Sequence, residues 1–419
     1  MIGHSVAPQR LRPSRFPARR VIGLVGATVA AVVLSACGGD SGSDGGGDTI
    51  KVMTWAPLES SLTNYPAITE AAKAYGQYIN DEGGIGGRKV EVLICDEGGD
   101  PTKATDCARQ AIQEEVVAVV GSFGYTGDAT IPLLKGAGIA WFGGCCPNSP
   151  AEYNEDNAFI LGNGPAFAAA LADRANKDGF TKIAYVGCDG CQTYLPPIEN
   201  TLKAAGLELH QEVTIPAQAQ DYSPQAAEAL ADGTDAVILI AGEDQDKAFM
   251  AAYKQVGSTA KIYGPQGNLT EEVAADFKEE LTGAVTGNSY ADISAPVWDD
   301  FRESLSTYDA PKDINYNTLA GLGTWAAYAA FNEVVSTMDG DVTAESFMEA
   351  ARNADNVDTG GMTAPVDFTQ LWTDGLEGYR NLVNRTASFS HFDENGKLVP
   401  DEGGFKDYTN GMLGEPNPS

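Results

Sequence analysis

Histidine and basic side chains are scarce in this chain of 419 residues, and both shortages exclude classes of function. Only three histidines occur, His4, His210 and His391, so histidine-based metal sites and catalytic triads have little material. Lys and Arg number 27 against 58 Asp and Glu, which gives a net charge of −31. A surface this acidic repels phosphate backbones and anionic lipid heads. Nucleic-acid binding is therefore excluded.

Long apolar runs are also scarce, and the longest one lies near the N-terminus. Residues 21–33 are mostly apolar, which is too short for a mature helix to span a bilayer. Five Arg and no acid precede residue 37, a layout typical of a secretory signal. The run ends in Leu34-Ser35-Ala36-Cys37, which resembles a bacterial lipobox. The resemblance implies that residues 1–36 are a lipoprotein signal peptide and that Cys37 is lipidated.

Two alternatives stay open for this leader. One is an uncleaved signal anchor with an incidental Cys37. The other concerns the export route, since Arg19-Arg20 leaves both Sec and twin-arginine export possible. Residues 37–48 are almost entirely Gly, Ser and Asp and predict a flexible tether. We therefore expect an extracytoplasmic protein, lipid-anchored to the outer face of the cytoplasmic membrane.

Cysteine is sparse too. An even number of cysteines follows Cys37, which suggests disulfides in an oxidising compartment. Six cysteines allow 15 full pairings. Cys95 ends an apolar run and Cys107 lies in the next helix, which favours a bridge between them. Cys188 and Cys191 are close enough to pair with each other. Cys145 and Cys146 are adjacent, and either a vicinal disulfide or a four-thiolate zinc site with Cys188 and Cys191 is conceivable.

Short apolar strands alternate with amphipathic helices from residue 50 onward, in two runs. This βαβα order predicts α/β lobes with doubly wound parallel sheets, and two runs predict two lobes joined by a three-crossing hinge. Lobe 1 is expected to comprise residues 49–163 and 291–364, and lobe 2 residues 164–290 and 365–419. Predicted tail elements are helices at 296–308, 317–337 and 343–354 and a strand at 365–368. Ligands bind at the carboxyl ends of such strands.

Several motifs occur in the order found in one family of binding proteins. Asn80-Asp81-Glu82-Gly83-Gly84 is followed by Asp100-Pro101, by Val120-Gly121-Ser122 and by Gly264-Pro265-Gln266-Gly267. In this order the chain resembles the leucine/isoleucine/valine-binding group of type I periplasmic solute-binding proteins, which serve ABC importers. The resemblance implies capture of a small molecule between two lobes that close on it, and delivery to ABC permease subunits. It implies no covalent chemistry.

The same resemblance points to two ligand-binding loops in the first lobe. After the third strand, Tyr125 and Thr126 stand where amino-acid-binding members hold the ligand carboxylate; Thr126 as a helix N-cap is the alternative. After the fourth strand, Cys145 and Cys146 replace a small residue and a threonine. A structural turn that never meets the ligand is the alternative for the cysteine loop.

The second lobe carries the largest departure from the family pattern. Its Gly-Pro-Glu-Gly turn supplies a carboxylate for the ligand ammonium, and here that residue is Gln266. An unpaired buried ammonium costs roughly 3–5 kcal/mol. Either Glu243, Asp244 or Asp189 replaces the carboxylate, or the ligand has no ammonium, which we favour. A neutral amide, a carboxylate or an aromatic compound would suit a cleft with Gln266 and the following aromatic residues, each of which is equally compatible with core or surface: Trp55, Tyr125, Tyr194 and Tyr290.

Rival functions have less support in the sequence. Gly121-Ser122-Phe123-Gly124 lacks the first glycine of a nucleophile elbow, and the glycine clusters do not match a dinucleotide-binding fingerprint. We therefore expect no enzyme, no cofactor and no metal, and a monomer. A ligand-sensing module for a membrane receptor would have the same fold and cleft. This function therefore stays an alternative to a role in an importer.

Overall fold

A computed structural model describes residues 49–60, 64–216, 219 and 221–418. The predicted signal peptide, the lipidation site Cys37 and the tether lie outside this range. Within it, no helix is long and apolar enough to cross a membrane. The described chain forms two α/β lobes, each built around one sheet.

The first lobe begins with five short strands that alternate with helices. The strands are β1 (Ile50–Ala56), β2 (Val90–Asp96), β3 (Ala118–Val120), β4 (Ala140–Phe142) and β5 (Ala158–Phe159). The helices are α1 (Pro66–Asp81), α2 (Pro101–Gln113), α3 (Gly127–Gly136) and α4 (Pro150–Asn154). All strand pairs are parallel, in the order β2-β1-β3-β4-β5.

Local sequence explains both the helix starts and the two-sided sheet. Asp100 caps α2 by accepting hydrogen bonds from the N–H groups of Thr102 and Lys103. An aspartate directly before a proline predicts such a helix start. Along β1, Val52 and Met53 pack into different apolar clusters, because successive side chains of a strand point to opposite faces. Both faces of the first sheet are therefore buried.

The second lobe repeats the alternation. Its first elements are α5 (Gly164–Lys177), β6 (Ile183–Cys188), α6 (Leu195–Ala204), β7 (Gln211–Ile215), α7 (Ser223–Ala229), β8 (Ala236–Ile240), α8 (Glu243–Val256), β9 (Lys261–Pro265), α9 (Glu271–Asp276), α10 (Lys278–Leu281) and β10 (Val285–Asn288). Short 3₁₀ turns lie at Cys191–Tyr194 and Ala231–Gly233. The strands from β10 to β7 pair in parallel, in the order β10-β9-β8-β6-β7.

The remaining chain returns to the first lobe and then to the second. After a 3₁₀ turn at Pro296–Trp298, α11 (Asp299–Thr307), α12 (Leu319–Ser336) and α13 (Ala344–Asn353) follow, and α12 packs on α1 and β3. The chain ends with β11 (Thr386–Phe392), β12 (Leu398–Pro400), β13 (Lys406–Asp407) and α14 (Thr409–Met412). The predicted fold class is thereby confirmed, including the three tail helices over the first lobe.

Two features differ from expectation in the tail. The predicted strand at 365–368 is a single bridge between Val357 and Val366, whereas β11 extends the second sheet by antiparallel pairing with β10. Phe368 packs against Phe142 and Phe159 of the first lobe, while Trp372 belongs to the second core. The third crossing therefore lies beyond residue 364. The exact residues at the other lobe boundaries stay predictions.

The structure pairs four of the cysteines as the sequence favours. Cys95 of β2 is bonded to Cys107 of α2, with Cα atoms 5.8 Å apart, and Cys188 to Cys191, with Cα atoms 5.1 Å apart. The first bridge links a strand to the helix that follows it. Oxidation of both pairs in the exported protein stays a prediction.

Candidate functional site

The predicted ligand loops converge on the facing edges of the two sheets. The loops after β1, β2, β3 and β4 leave the carboxyl edge of the first sheet, and those after β6, β8, β9 and β10 leave that of the second. The lobes touch beside these loops, where Asn315 Nδ2 donates to Glu243 Oε2 at 3.3 Å. A Cβ atom on Gly267 would lie 2.3 Å from the Leu319 backbone nitrogen, so only glycine permits this approach. The cleft between these edges is the candidate site.

The loop after β3 presents an unused donor at the start of α3. Thr126 occupies the N-cap position, yet its side chain makes no capping hydrogen bond. Its Oγ1 atom is buried without a hydrogen-bond partner among the described residues. The first N–H groups of a helix lack intrahelical partners and favour an anion. The Thr126 hydroxyl is therefore the unused donor of this loop, whereas the backbone N–H of Tyr125 donates to the carboxylate of Glu97.

The loop after β4 carries two free thiols. Cys145 is buried and Cys146 half-buried, and the structure bonds neither. The vicinal disulfide considered above is thus not formed. The zinc alternative fails as well, because Cys188 and Cys191 are bonded to each other and the described chain contains no group of three or more residues suited to hold a metal.

A buried carboxylate fixes this cysteine loop. Glu152 Oε2 accepts hydrogen bonds from the backbone N–H groups of Asn148 at 2.8 Å and Ser149 at 3.0 Å. Burial raises the pKa of Glu152 to about 7, although these hydrogen bonds oppose the shift. Glu152 was not predicted as a functional residue. Its place three residues after Ser149 matches a capping box, a signal that was available.

Four tyrosines surround the thiols and form with them what we call the tyrosine–thiol cluster. Its members are Tyr65, Tyr125, Cys145, Cys146, Tyr194 and Tyr290. Burial is the main cause that raises the pKa of Tyr65, Tyr194 and Tyr290 well above the ordinary value, and proximity to the cysteines adds to each shift. These phenols therefore stay neutral donors at physiological pH.

One glycine sets how closely this cluster packs on the first lobe. A Cβ atom on Gly323 of α12 would lie 2.6 Å from both Cys145 Cβ and the Tyr290 hydroxyl. The Tyr290 hydroxyl is buried and has no hydrogen-bond partner among the described residues. Tyr125, Cys145, Cys146, Tyr194 and Tyr290, predicted separately, thus gather at one place. Tyr65 was missed, because it precedes α1 without a distinguishing motif.

Gln266 is engaged with the chain that crosses between the lobes. Its Oε1 accepts from the Tyr290 N–H at 3.1 Å, and its Nε2 donates to the Ala291 carbonyl at 3.1 Å. The same carbonyl accepts from Trp298 Nε1 at 3.1 Å. An amide donates and accepts at once, which an ionised carboxylate cannot do. The amide at this position therefore has a structural reason, independent of any ligand.

The acids predicted to replace the family carboxylate lie at the second lobe's strand ends but are occupied or remote. Glu243 forms an ion pair with Lys247 at 2.9 Å in addition to its contact with Asn315. Asp189 is exposed on the turn between Cys188 and Cys191. Asp244, in the first turn of α8, is exposed as well. None of the three carboxylates is a free, buried counter-ion for an ammonium.

Trp55 lies beneath the loops and not on the cleft surface. It is 1% exposed and packs against Trp141, with ring centroids 5.3 Å apart. Its backbone N–H donates to Ser122 Oγ at 3.0 Å, which ties β1 to the loop after β3. Trp55 therefore supports the site from the core.

Two fully buried acids near the strand ends were also missed. Glu97 follows β2, and burial raises its pKa to about 7. Asp246 lies in the first turn of α8, and burial raises its pKa well above the ordinary range. Glu97 Oε2 and both carboxylate oxygens of Asp246 have no hydrogen-bond partner among the described residues. Burial disfavours the charged form of both acids, so neither is a preformed counter-ion for an ammonium.

Comparison with known proteins identifies the family of this two-lobed arrangement. The family described as Periplasmic binding protein matches residues 50–376. A leucine-, isoleucine-, valine-, threonine- and alanine-binding protein of Pseudomonas aeruginosa is 21% identical over 320 residues, which cover 73% of this chain and 82% of that protein.

Solved structures agree on the fold. A substrate-binding periplasmic protein from Ralstonia solanacearum has a TM-score of 0.71 at 20% identity, over 84% of this chain and all of that one. An ABC transporter solute-binding protein from R. palustris, in complex with 4-hydroxybenzoate, has a TM-score of 0.69 at 17% identity, over 86% of this chain and 98% of that one. Members of the family are binding proteins and not enzymes. The chain belongs to the periplasmic binding protein family, in its type I, leucine/isoleucine/valine-binding-like form.

Proposed function

We propose that this chain is a lipid-anchored, extracytoplasmic solute-binding protein of an ABC importer of the branched-chain amino acid type. Its family and the names of its relatives support the transport role. The leader that ends at Cys37 supports the anchor, and residues 37–48 provide the tether. An oxidising compartment fits the paired Cys95–Cys107 and Cys188–Cys191.

In this proposal the solute binds between the lobes and closes them. Three chain crossings connect the lobes, and contacts that a bound solute makes with both lobes favour closure. The contact between Asn315 and Glu243 lies beside the cleft and stabilises the approach of the two edges. The closed form then docks on the permease.

The ligand, we infer, has no ammonium group. The occupied amide of Gln266 carries this inference, because both its polar atoms serve the crossing at Tyr290 and Ala291. Glu243 is paired with Lys247, and Asp189 is exposed on its disulfide turn. An ammonium buried here would lack a counter-ion, at a cost of roughly 3–5 kcal/mol.

A carboxylate with an apolar or aromatic body suits the remaining groups. The carboxylate would meet the start of α3 and the unused hydroxyl of Thr126, and the body would lie against the tyrosine–thiol cluster. Two structural relatives have ligands of this chemistry in their titles: 4-hydroxybenzoate for the R. palustris protein and fatty acid for a Thermomonospora curvata protein. Neither compound carries an ammonium. The Pseudomonas protein is named for amino acids, which is the competing class.

A thermal-shift survey of soluble protein that starts at Thr49 tests the proposal. The panel contains leucine, isoleucine, valine and phenylalanine, their deaminated acids, benzoate, 4-hydroxybenzoate and small amides. Saturation at a hundredfold excess over Kd adds about 2.7 kcal/mol of stability. We expect shifts with carboxylates that lack an ammonium, and a smaller shift for Thr126→Val with the same compound. Shifts confined to the amino acids would refute the inferred ligand class.

A further inference from the structure

A second cavity lies away from the cleft, where the third crossing leaves the first lobe. It measures about 290 Å³, and its lining includes Phe159 and Phe368 from the first core. Arg380 and Val383 line it from the segment that leads to the second lobe. Its walls therefore come from both sides of the crossing.

Two guanidinium groups at this cavity are not neutralised by ion pairs. Arg380 Nη1 contacts the Asn154 carbonyl at 3.5 Å and Asn381 Oδ1 at 3.3 Å, and Arg352 Nη2 donates to the Asp156 carbonyl at 3.3 Å. Arginine ion pairs in the described chain involve other positions, Arg109, Arg174 and Arg302. Two such cations at one cavity are unexpected in a chain of net charge −31.

The carboxylate at the same cavity is already satisfied. Asp156 pairs with Lys135 at 2.9 Å, and this hydrogen bond is the main cause that lowers the pKa of Asp156, with a smaller contribution from Arg352. Two further acids, Glu345 and Glu349, line an adjoining cavity of about 720 Å³ that shares Arg352. The smaller cavity is therefore lined by two guanidinium groups and by one carboxylate, which already pairs with Lys135.

Buried polar groups hold Arg380 in place. Asn381 is 3% exposed, and its Nδ2 donates to the carbonyls of Glu152 at 3.0 Å and Glu155 at 2.7 Å. This leaves Asn381 Oδ1 oriented to accept from Arg380. The Arg380 guanidinium beside an apolar wall, with the exposed Arg352 at its rim, matches a carboxylate that carries a hydrocarbon group.

We propose that this cavity is a second binding site, for a small amphipathic anion such as a short-chain carboxylate. Arg352 and Arg380 bind the carboxylate, and Phe159, Phe368 and Leu371 contact its hydrocarbon part. The site is independent of the cleft and of the solute that the cleft binds. Because the cavity joins the first lobe to the third crossing, an anion there also stabilises that crossing segment.

Calorimetric titration with hexanoate tests the proposal on the soluble chain from Thr49. Saturable binding is expected, at least tenfold weaker in Arg380→Gln and Arg352→Gln and unchanged in Arg109→Gln, which removes an exposed arginine already paired with Asp106. Hexanol lacks the charge and sulfate lacks the hydrocarbon, so both should bind at least tenfold more weakly than hexanoate.

Two results would overturn the site. One is hexanoate binding whose stoichiometry and affinity both cavity variants retain, which would leave no site at the cavity; a loss in Thr126→Val would then assign hexanoate to the cleft. The other is the absence of saturable binding by hexanoate to the unaltered protein. Unfolding midpoints of the ligand-free variants check that the substitutions leave the fold intact.

Discussion

At the scale of single residues, Gln266 is the position where the ligand and the architecture make competing demands. The family pattern predicts a carboxylate that meets an ammonium, whereas the structure gives an amide that donates to Ala291 and accepts from Tyr290. The substitution itself was visible in the sequence. The structural reason for the amide was not visible there, because its two hydrogen-bond partners are backbone groups more than twenty residues further along the chain.

We therefore expect Gln266→Glu to destabilise the protein. A carboxylate cannot donate to the Ala291 carbonyl, and the site is 5% exposed, so the cost should be about 1–3 kcal/mol. A buried Glu has a raised pKa, so the loss should grow as pH rises above about 4.3, where the unfolded-state Glu ionises. Urea unfolding at pH 5 and pH 8 measures it. Gln110→Glu, at an exposed position of α2, is the matched control, and equal stability of both variants would contradict the assigned role.

The buried acids predict a second effect at this scale. Burial raises the pKa of both Glu97 and Glu152 to about 7, so between about pH 4.5 and 7 the folded state binds more protons than the unfolded state. Stability should therefore fall as pH rises through this window, by on the order of 1–3 kcal/mol per group. Above pH 7 this contribution no longer changes.

Glu97→Gln isolates that effect from the general repulsion of an acidic protein. Glu97→Gln should gain stability relative to the unaltered chain from pH 5 to pH 7.5. The buried carboxylate of the unaltered chain becomes charged over this range, whereas the amide stays neutral. Denaturant titrations across this range provide the measurement. A difference independent of pH would mean that Glu97 is already ionised in the folded protein at pH 5.

At the scale of elements, the sequence predicted most helices and strands, and the errors have identifiable causes. The capping residue Asp100 predicted the start of α2, and the predicted helix 317–337 agrees with α12 within two residues at each end. The segment 365–368 has the apolar content of a strand, but only Val366 finds a partner. The antiparallel strand β11 depends on pairing with β10, about a hundred residues earlier, which local pattern does not encode.

Helix α12 gives a prediction at this scale through Gly323. Alanine there adds up to about 1 kcal/mol of helix propensity, but its Cβ would lie 2.6 Å from Cys145 Cβ and from the Tyr290 hydroxyl. Overpacking costs about 1–3 kcal/mol, so Gly323→Ala should be destabilised and should bind the cleft ligand more weakly. Gly136→Ala in α3 meets nothing within 4 Å and should be neutral or stabilised. Thermal unfolding compares them, and a fully stable Gly323→Ala with unaltered ligand binding would contradict the packing described.

At the scale of the whole molecule, the two-lobed fold was predictable because alternating elements and family motifs agree. The composition of the cleft was not. Tyrosines and thiols from residues 65 to 290 meet only in three dimensions, and nothing in the local sequence of Tyr65 or Glu97 marks them as part of one site. The loops at Tyr125 and Cys145 were each predicted to meet the ligand, which stays a prediction, and the structure places both residues in one apolar cluster.

The cysteine pairing of the entire chain is testable without a ligand. Denatured, unreduced protein that starts at Thr49 should show two reactive thiols, from Cys145 and Cys146, and six after reduction. Thiol titration with an aromatic disulfide reagent counts them. No free thiol would indicate a vicinal disulfide in the cleft, and four would mean that one of the two bonded pairs is reduced.

We expect the cleft to bind a solute without an ammonium group, because Gln266 serves the crossing and neither Glu243, Asp244 nor Asp189 is a free, buried counter-ion. Calorimetric titration with matched pairs tests it most directly: leucine against 4-methylpentanoate, and phenylalanine against 3-phenylpropanoate, at pH 7. The deaminated member of at least one pair should bind at least a hundredfold more tightly than its amino acid, which corresponds to about 2.7 kcal/mol. Tighter binding of the amino acid in either pair would contradict it.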